Sequence, residues 1–301
     1  MSDLYNEFIQ DHLVNTITKG KSGADVYELD NNRIAKHVLH HKIENESIWN
    51  TYKHESMFYS FYAKPGYSFL PKIYTNICNA DEILIIMEKY RSIERQEINE
   101  RLLQQILMAL ANVHSLPIPS FLDVPEKSPS IYDESIMTEC MDGWQSVLDE
   151  HKDAFDHTEL QTLRSHINEF NKKLHSTQKN LLHGDFHFDN VLLDQQNNIV
   201  ICDWQNCCVG NISSDISFFL SRLSADGCHL STQNVIKMYC TLASEKGIII
   251  NPDEVDIQIR LANLNTSFCF WHIYLHGCTE KNVANIYFKM IEDMKVLLSK
   301  L

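Results

Sequence analysis

Asp185, Asn190 and Asp203 have the types and the spacing to do chemistry together, in His183-Gly-Asp-Phe-His-Phe-Asp-Asn190 followed by Ile199-Val-Ile-Cys-Asp203-Trp204. An Asp and an Asn five positions apart, with a second Asp beyond, suit phosphoryl transfer. A transferring phosphoryl group needs positioning and charge neutralisation more than covalent help. Asn190 and Asp203 supply oxygen ligands that a hard cation such as Mg²⁺ accepts while keeping sites for phosphate. Asp185 is then free to orient an acceptor hydroxyl and take its proton.

These residues need a frame that sets them side by side. Val191-Leu-Leu and Ile199-Val-Ile flank a Gln-Gln-Asn-Asn turn, the pattern of a hairpin that returns Asp203 next to Asn190. His183 and His187, four apart, would share a face of a helix as zinc ligands do, but the flanking strand-like runs oppose a helix there.

His183-Gly184-Asp185, Asn190 and Asp203-Trp204 resemble the signature of the aminoglycoside phosphotransferase and choline kinase-like family, small-molecule relatives of protein kinases. Gly210 with Asp215-Ile-Ser-Phe-Phe-Leu is similar to that family's Gly, short loop and helix-opening Asp. The resemblance implies an α+β, two-lobed protein-kinase-like fold, with a β-rich lobe over residues 1–87 and a mainly helical lobe over 88–301. It implies ATP or GTP with Mg²⁺ as cofactors, and His183 and Asp215 as supports of the catalytic loop.

The remaining nucleotide contacts follow along the chain. Two β-like runs surround Lys19-Gly-Lys-Ser22-Gly23, a turn whose small residues would let backbone amides approach phosphates. Gly20-Lys21-Ser22 is not a Walker loop, because Asn15 stands where that motif needs Gly and the turn leads into a strand. Lys36, in strand-like Arg33-Ile-Ala-Lys-His-Val-Leu, is the candidate phosphate lysine. Glu55, beside Met57, Phe58 and Phe61 on a helix expected from Glu46 to Tyr62, is its candidate partner, with Glu44 and Glu46 as alternatives. The apolar run Ile83-Leu-Ile-Ile-Met87 leads to Glu88-Lys-Tyr90, a hinge whose backbone would bond the base, with Met87 facing the pocket.

Helices are expected at Ile98–His114, within Glu126–Lys179, and at Asn234–Leu242, Val255–Leu275 and Val283–Leu301. Glu150, Asp153 and Asp156 place carboxylates in the presumed acceptor wall, and Trp271 and Tyr274 are candidates for an acceptor pocket.

Composition narrows the partners. A net charge of −14 disfavours nucleic acid and favours a cationic small-molecule acceptor. Nine cysteines without a Cys-x-x-Cys pair point to reduced thiols, not a disulfide or zinc scaffold. No apolar run is long enough for a membrane, and the N-terminus lacks a basic-then-apolar leader, so a cytoplasmic monomer or homodimer is expected. An aminoglycoside is the first expectation for the acceptor, a choline- or ethanolamine-type metabolite the alternative, and a non-catalytic nucleotide-binding protein the alternative of another class.

Overall fold

The apolar run at residues 83–87 becomes an interior strand of a five-stranded antiparallel sheet. In the computed structural model, which describes residues 2–17, 23–62, 67–122, 133–151, 154–175, 179–225, 227–228 and 230–300, the chain opens with α1 (Asp3–Phe8). There follow β1 (Leu13–Ile17), β2 (Asp25–Leu29), β3 (Arg33–Leu39), α2 (Glu46–Tyr62), β4 (Ile73–Cys78) and β5 (Glu82–Glu88). The sheet order is β1-β2-β3-β5-β4. Period-two alternation sends Ile83, Ile85 and Met87 into the core beneath α2, and Leu84 and Ile86 into a smaller core with Tyr5, Phe8 and Ile9. Both faces of β5 are covered, which is why its sequence is continuously apolar.

Helix α2 spans the expected residues but turns a different face inward. Trp49, Tyr52, Glu55, Tyr59 and Tyr62 recur at helical spacing and are buried, as is Phe58, whereas Met57 and Phe61 are exposed. The two apolar residues expected beside Glu55 lie on the far side of a 3.6-residue turn, so the aromatic stripe sets the packed face. Helix α1 had no counterpart in the sequence reading, because six residues are too few to show a period.

Beyond the sheet come β6 (Arg91–Ser92), α3 (Glu100–His114), α4 (Glu134–Asp149), α5 (Thr158–His175) and β7 (Asn180–Leu182). The expected hairpin forms from β8 (Val191–Leu193) and β9 (Ile199–Ile201), with Leu192 opposite Val200 and Asn197 in the left-handed region at its turn. Then come β10 (Cys208–Gly210), paired with β7, and α6 (Ser213–Ala225), α7 (Thr232–Ser244) and α8 (Pro252–Thr266). A π-helical turn, Ser267–Trp271, leads to α9 (His272–Leu275), and α10 (Glu280–Lys300) ends the described chain. The single helix expected over Val255–Leu275 is therefore interrupted. The wider π turn buries Phe268 completely, with its carbonyl accepting from Trp144 Nε1 at 3.0 Å, while Phe270 faces out.

One core runs without a break from Val38 and Ile83 through Ile201, Trp204 and Ile216 to Tyr239, so the sheet and the catalytic hairpin share an apolar interior. A second core joins α4, α5, α8 and α10 through Trp144, Ile167, Leu264 and Met294. Among the described residues no helix is long and apolar enough to cross a membrane.

Candidate active site

Lys36 sits mid-strand on β3, opposite Ile85, and its Nζ donates to Glu55 Oε2 at 2.7 Å and Asp203 Oδ1 at 2.8 Å. Strand, helix and the turn bearing Asp203 thus meet at one ammonium. Glu44 and Glu46 do not take part; Glu46 instead bonds His40 at 2.6 Å. Burial alone would lower the Lys36 pKa, but the carboxylates of Glu55 and Asp203 hold it above its usual value. Burial raises Glu55, and the adjacent ammonium opposes that rise. Burial also pushes Asp203 up, yet Lys36 and the Gln205 amide bring it below the ordinary carboxylate range.

The turn bearing Asp203 is held in an unusual shape. Asp203 has φ +66°, a left-handed conformation rare for a residue with a side chain, so neighbours must impose it. Trp204 stacks on Phe58 of α2 with centroids 3.9 Å apart and planes 10° apart, which ties the turn to the helix that carries Glu55. Gln205 Nε2 donates to Asp203 Oδ1 at 2.7 Å. Lys36 and Gln205 both occupy Oδ1, which leaves Oδ2 for a cation.

The catalytic loop is anchored from below. Buried His183 bonds the Cys202 carbonyl through Nε2 at 2.9 Å and accepts from the Asp185 amide at Nδ1, 3.3 Å away. Burial lowers the His183 pKa, which keeps the ring neutral for those roles. Asp215, in the first turn of α6, accepts from the His183 amide at 2.8 Å and the Gly184 amide at 3.0 Å. Gly184 has φ +78°, and a Cβ there would lie 2.0 Å from the Asn206 carbonyl oxygen, so only glycine fits.

Asn190 closes the loop. Its Nδ2 donates to the Asp185 carbonyl at 3.0 Å and lies 3.4 Å from Asp185 Oδ2, which turns Oδ1 to the other side. The Cys202 amide donates to the Asn190 carbonyl at 2.9 Å, which holds the Asn190 and Asp203 ends of the hairpin together. His187 caps the short turn Phe188–Asn190 and is not paired with His183. Among the described residues no group of three or more His, Cys, Asp or Glu could hold a metal by itself. The Asn190 amide oxygen and the Asp203 carboxylate are hard oxygen donors of the kind that would hold a magnesium ion, with further ligands left to nucleotide phosphate.

A sequence profile of the phosphotransferase enzyme family matches residues 85–247, more than half of the chain. The chain belongs to that family. The aminoglycoside phosphotransferase APH(2'')-Ib with ADP bound has a similar structure, at TM-score 0.61 and 13% identity, covering 96% of this chain and 95% of that one. An ethanolamine kinase from Plasmodium vivax gives TM-score 0.61 at 12% identity over 99% and 87% of the two chains. Choline kinase LicA from Streptococcus pneumoniae gives 0.58 at 10% identity over 98% and 96%. No curated protein sequence matches. This phosphotransferase therefore has the two-part protein-kinase-like fold, a β-sheet region followed by a helical one.

In the segment expected to bond the base, Met87 is buried beneath α2, and the amides of Glu88 and Lys89 donate to the carbonyls of Lys72 and Asn32. The Tyr90 hydroxyl accepts from the Lys72 amide at 2.8 Å. Gly23, at φ +86°, follows β1 at the turn into β2, while Ser22 lies outside the described residues, as does Asp153.

The acceptor-side candidates do not gather in the same way. Both Glu150 oxygens bond within the protein, Oε1 to His276 Nδ1 at 2.7 Å and Oε2 to the Gly277 amide at 2.8 Å. Trp271 packs against the second core, and Tyr274 is 71% exposed. Sequence reasoning missed Tyr59, whose hydroxyl lies 3.4 Å from Glu55 Oε1, Gln205 as a donor, and His114, whose Nε2 lies 3.1 Å from Asp215 Oδ2. The signal for Gln205 was its place two residues after Asp203; Tyr59 is one of three buried tyrosines of α2, and His114 ends an apolar helix.

Proposed function

We propose that this phosphotransferase moves the γ-phosphoryl group of ATP or GTP to a hydroxyl of a cationic small molecule, with an aminoglycoside as the first-choice acceptor. The observation that carries this reading is the convergence of Asp185, Asn190 and Asp203 beside the Lys36–Glu55 pair. Asp185 orients the acceptor hydroxyl and takes its proton as the oxygen gains the phosphoryl group. Lys36, set by Glu55, binds phosphate oxygens; Asn190 and Asp203 hold magnesium, which offsets phosphate charge when bound. The hinge at Met87, Glu88 and Tyr90 takes the base, and the turn at Ser22 and Gly23 covers the phosphates. Residues 1–87 then act as the nucleotide-side lobe and 88–301 as the lobe carrying hinge, catalytic loop and acceptor helices, in a cytoplasmic monomer or homodimer.

The net charge of −14 favours a polycationic acceptor by raising its local concentration. A choline- or ethanolamine-type acceptor is the second reading, favoured by Phe270 and Tyr274, 55% and 71% exposed near α4, because aromatic faces attract small cations. The test is a panel of aminoglycosides, choline, ethanolamine and related amino alcohols, scored by acceptor-stimulated release of ADP and GDP. For an aminoglycoside the KM rises steeply with salt while kcat changes less, as the Debye length falls from about 10 Å at ~0.1 M to about 3 Å at ~1 M. A neutral best substrate, or a KM flat over that range, rejects the aminoglycoside. Nucleotide binding with no ADP or GDP release for any compound favours a non-catalytic binding protein.

A further inference from the structure

A chain of polar groups runs through the apolar interior from α7 to the catalytic loop. Tyr239 of α7 and His114, the last residue of α3, are 0% and 1% exposed. The Tyr239 hydroxyl lies 2.6 Å from His114 Nδ1, and His114 Nε2 lies 3.1 Å from Asp215 Oδ2. That same Oδ2 accepts from the His183 amide at 2.8 Å, and Oδ1 from the Gly184 amide at 3.0 Å, one residue before Asp185.

Asp215, ionised, can only accept, so His114 donates to it from Nε2. With the ring neutral, Nδ1 presents a lone pair, and the tyrosine hydroxyl is the donor that satisfies it. A phenylalanine would fill nearly the same volume in this core, and burying a hydroxyl and an imidazole there costs free energy unless both are bonded. Packing alone therefore gives no reason for either polar residue. His114 also grips the other side of the loop, since its carbonyl accepts from Asn180 Nδ2 at 2.9 Å, at the start of the strand that leads to His183.

We infer that Tyr239, acting through His114 and Asp215, is a positioning residue for phosphoryl transfer. By fixing the His114 tautomer it holds the His183-Gly184 backbone, and with it the Asp185 carboxylate, where the acceptor hydroxyl arrives. The inference rests on the kinase reading above. None of the three residues touches nucleotide or metal in that reading, so their effect falls on turnover and not on nucleotide affinity.

The test pairs kinetics with spectroscopy on the full chain. Tyr239→Phe removes only the hydroxyl, and His114→Gln retains a donor for Asp215 while losing the ring. With magnesium-ATP or magnesium-GTP and the fastest acceptor of the panel, Tyr239→Phe is expected to lower kcat about tenfold with nucleotide KM unchanged within about twofold, since small misplacements of a catalytic group cost that much or more. His114→Gln is expected to retain part of that turnover through its bond to Asp215. In ¹⁵N-histidine-labelled parent protein, long-range ¹H–¹⁵N spectra should show His114, identified by its loss in His114→Gln, as the Nε2-protonated neutral tautomer. In Tyr239→Phe that tautomer should no longer be the sole form.

A parent His114 that is Nδ1-protonated or doubly protonated overturns the inference, and this measurement needs no variant of Tyr239 to fold. So does a Tyr239→Phe enzyme with parental kcat, or one whose nucleotide KM rises in step with its fall in kcat. Parent protein that turns over no acceptor overturns the kinase reading as well, whereas parental turnover with an unaffected Tyr239→Phe overturns the positioning role alone.

Discussion

The Lys36–Glu55–Asp203 centre and the face formed by α4, the π turn and α9 differ in how their polar groups are committed. At the centre, the positioning groups are bonded at fixed distances across elements far apart in sequence: strand to helix, helix to turn, turn to loop. On the acceptor-side face, Phe270, Ile273 and Tyr274 are exposed, and the Glu150 carboxylate bonds the turn beside it. The difference separates two jobs. Phosphoryl transfer needs charges preorganised to fractions of an ångström, whereas choice of acceptor rests on surface that can vary without disturbing the chemistry.

The largest expected effect lies at the reacting carboxylate. Asp185→Asn should lower turnover about 10²–10⁴-fold, the range for losing a general base, while magnesium-nucleotide still raises the thermal midpoint. Turnover near the parental rate in the folded variant would remove Asp185 from its role and erase the contrast between the two regions.

Asp203→Ala strikes nucleotide binding as well, because it deletes a partner of Lys36 and, in the proposed reading, a metal ligand. Ligand at about a hundredfold its Kd stabilises a protein by about 2.7 kcal/mol. That protection should largely vanish in Asp203→Ala, and thermal shift measurements showing it intact would sink the metal assignment.

Lys36→Ala and Glu55→Ala sharpen the comparison by measuring coupling at the centre. Lys36→Ala should raise nucleotide KM and lower kcat, and Glu55→Ala should do the same more mildly. A double-mutant cycle should return a coupling of about 1–3 kcal/mol, as for residues in one network. Strict additivity would mean that the 2.7 Å contact does not act in the enzyme.

A smaller effect follows from pH. Burial depresses the folded-state pKa of His183 below the ordinary imidazole value of about 6.5, so the unfolded chain binds the proton first as pH falls. The stability from neutral His183 is fully present above about pH 6.5 and declines below it. Asp215, held below the ordinary carboxylate range despite its burial by the donors around it, gives way only at lower pH. The thermal-midpoint gap between the parent and His183→Gln should therefore narrow from pH 7.5 to pH 5. A gap that is constant or widens contradicts a neutral buried His183.

The smallest effect should come from Glu150→Gln. With both oxygens bonded inside the protein, its loss should leave acceptor KM and its salt dependence nearly unchanged. A KM raised tenfold or more would return Glu150 to the acceptor wall and weaken the contrast drawn here.

Legibility in the sequence follows the same divide. Asn190 and Asp203 flank one hairpin and Asp185 stands five residues before Asn190, so local pattern alone brings them near each other, and the helical span of α2 put Glu55 within reach of Lys36. The phase of α2 was harder: Met57 and Phe61 look like core by type, but Trp49, Tyr52, Tyr59 and Tyr62 outweigh them. The partnership of His114 with Tyr239 joins residues 125 positions apart, and no local pattern encodes it. The π turn was hidden for another reason, since its residues keep helical types while Trp144 and the second core decide which of them turn inward.

The stack of Trp204 on Phe58 has a further meaning. An outward rotation of α2 would have to separate two stacked aromatic rings and the Lys36–Glu55 pair at once, both against a shared core. Folding the polypeptide therefore already brings Lys36, Glu55 and Asp203 into contact.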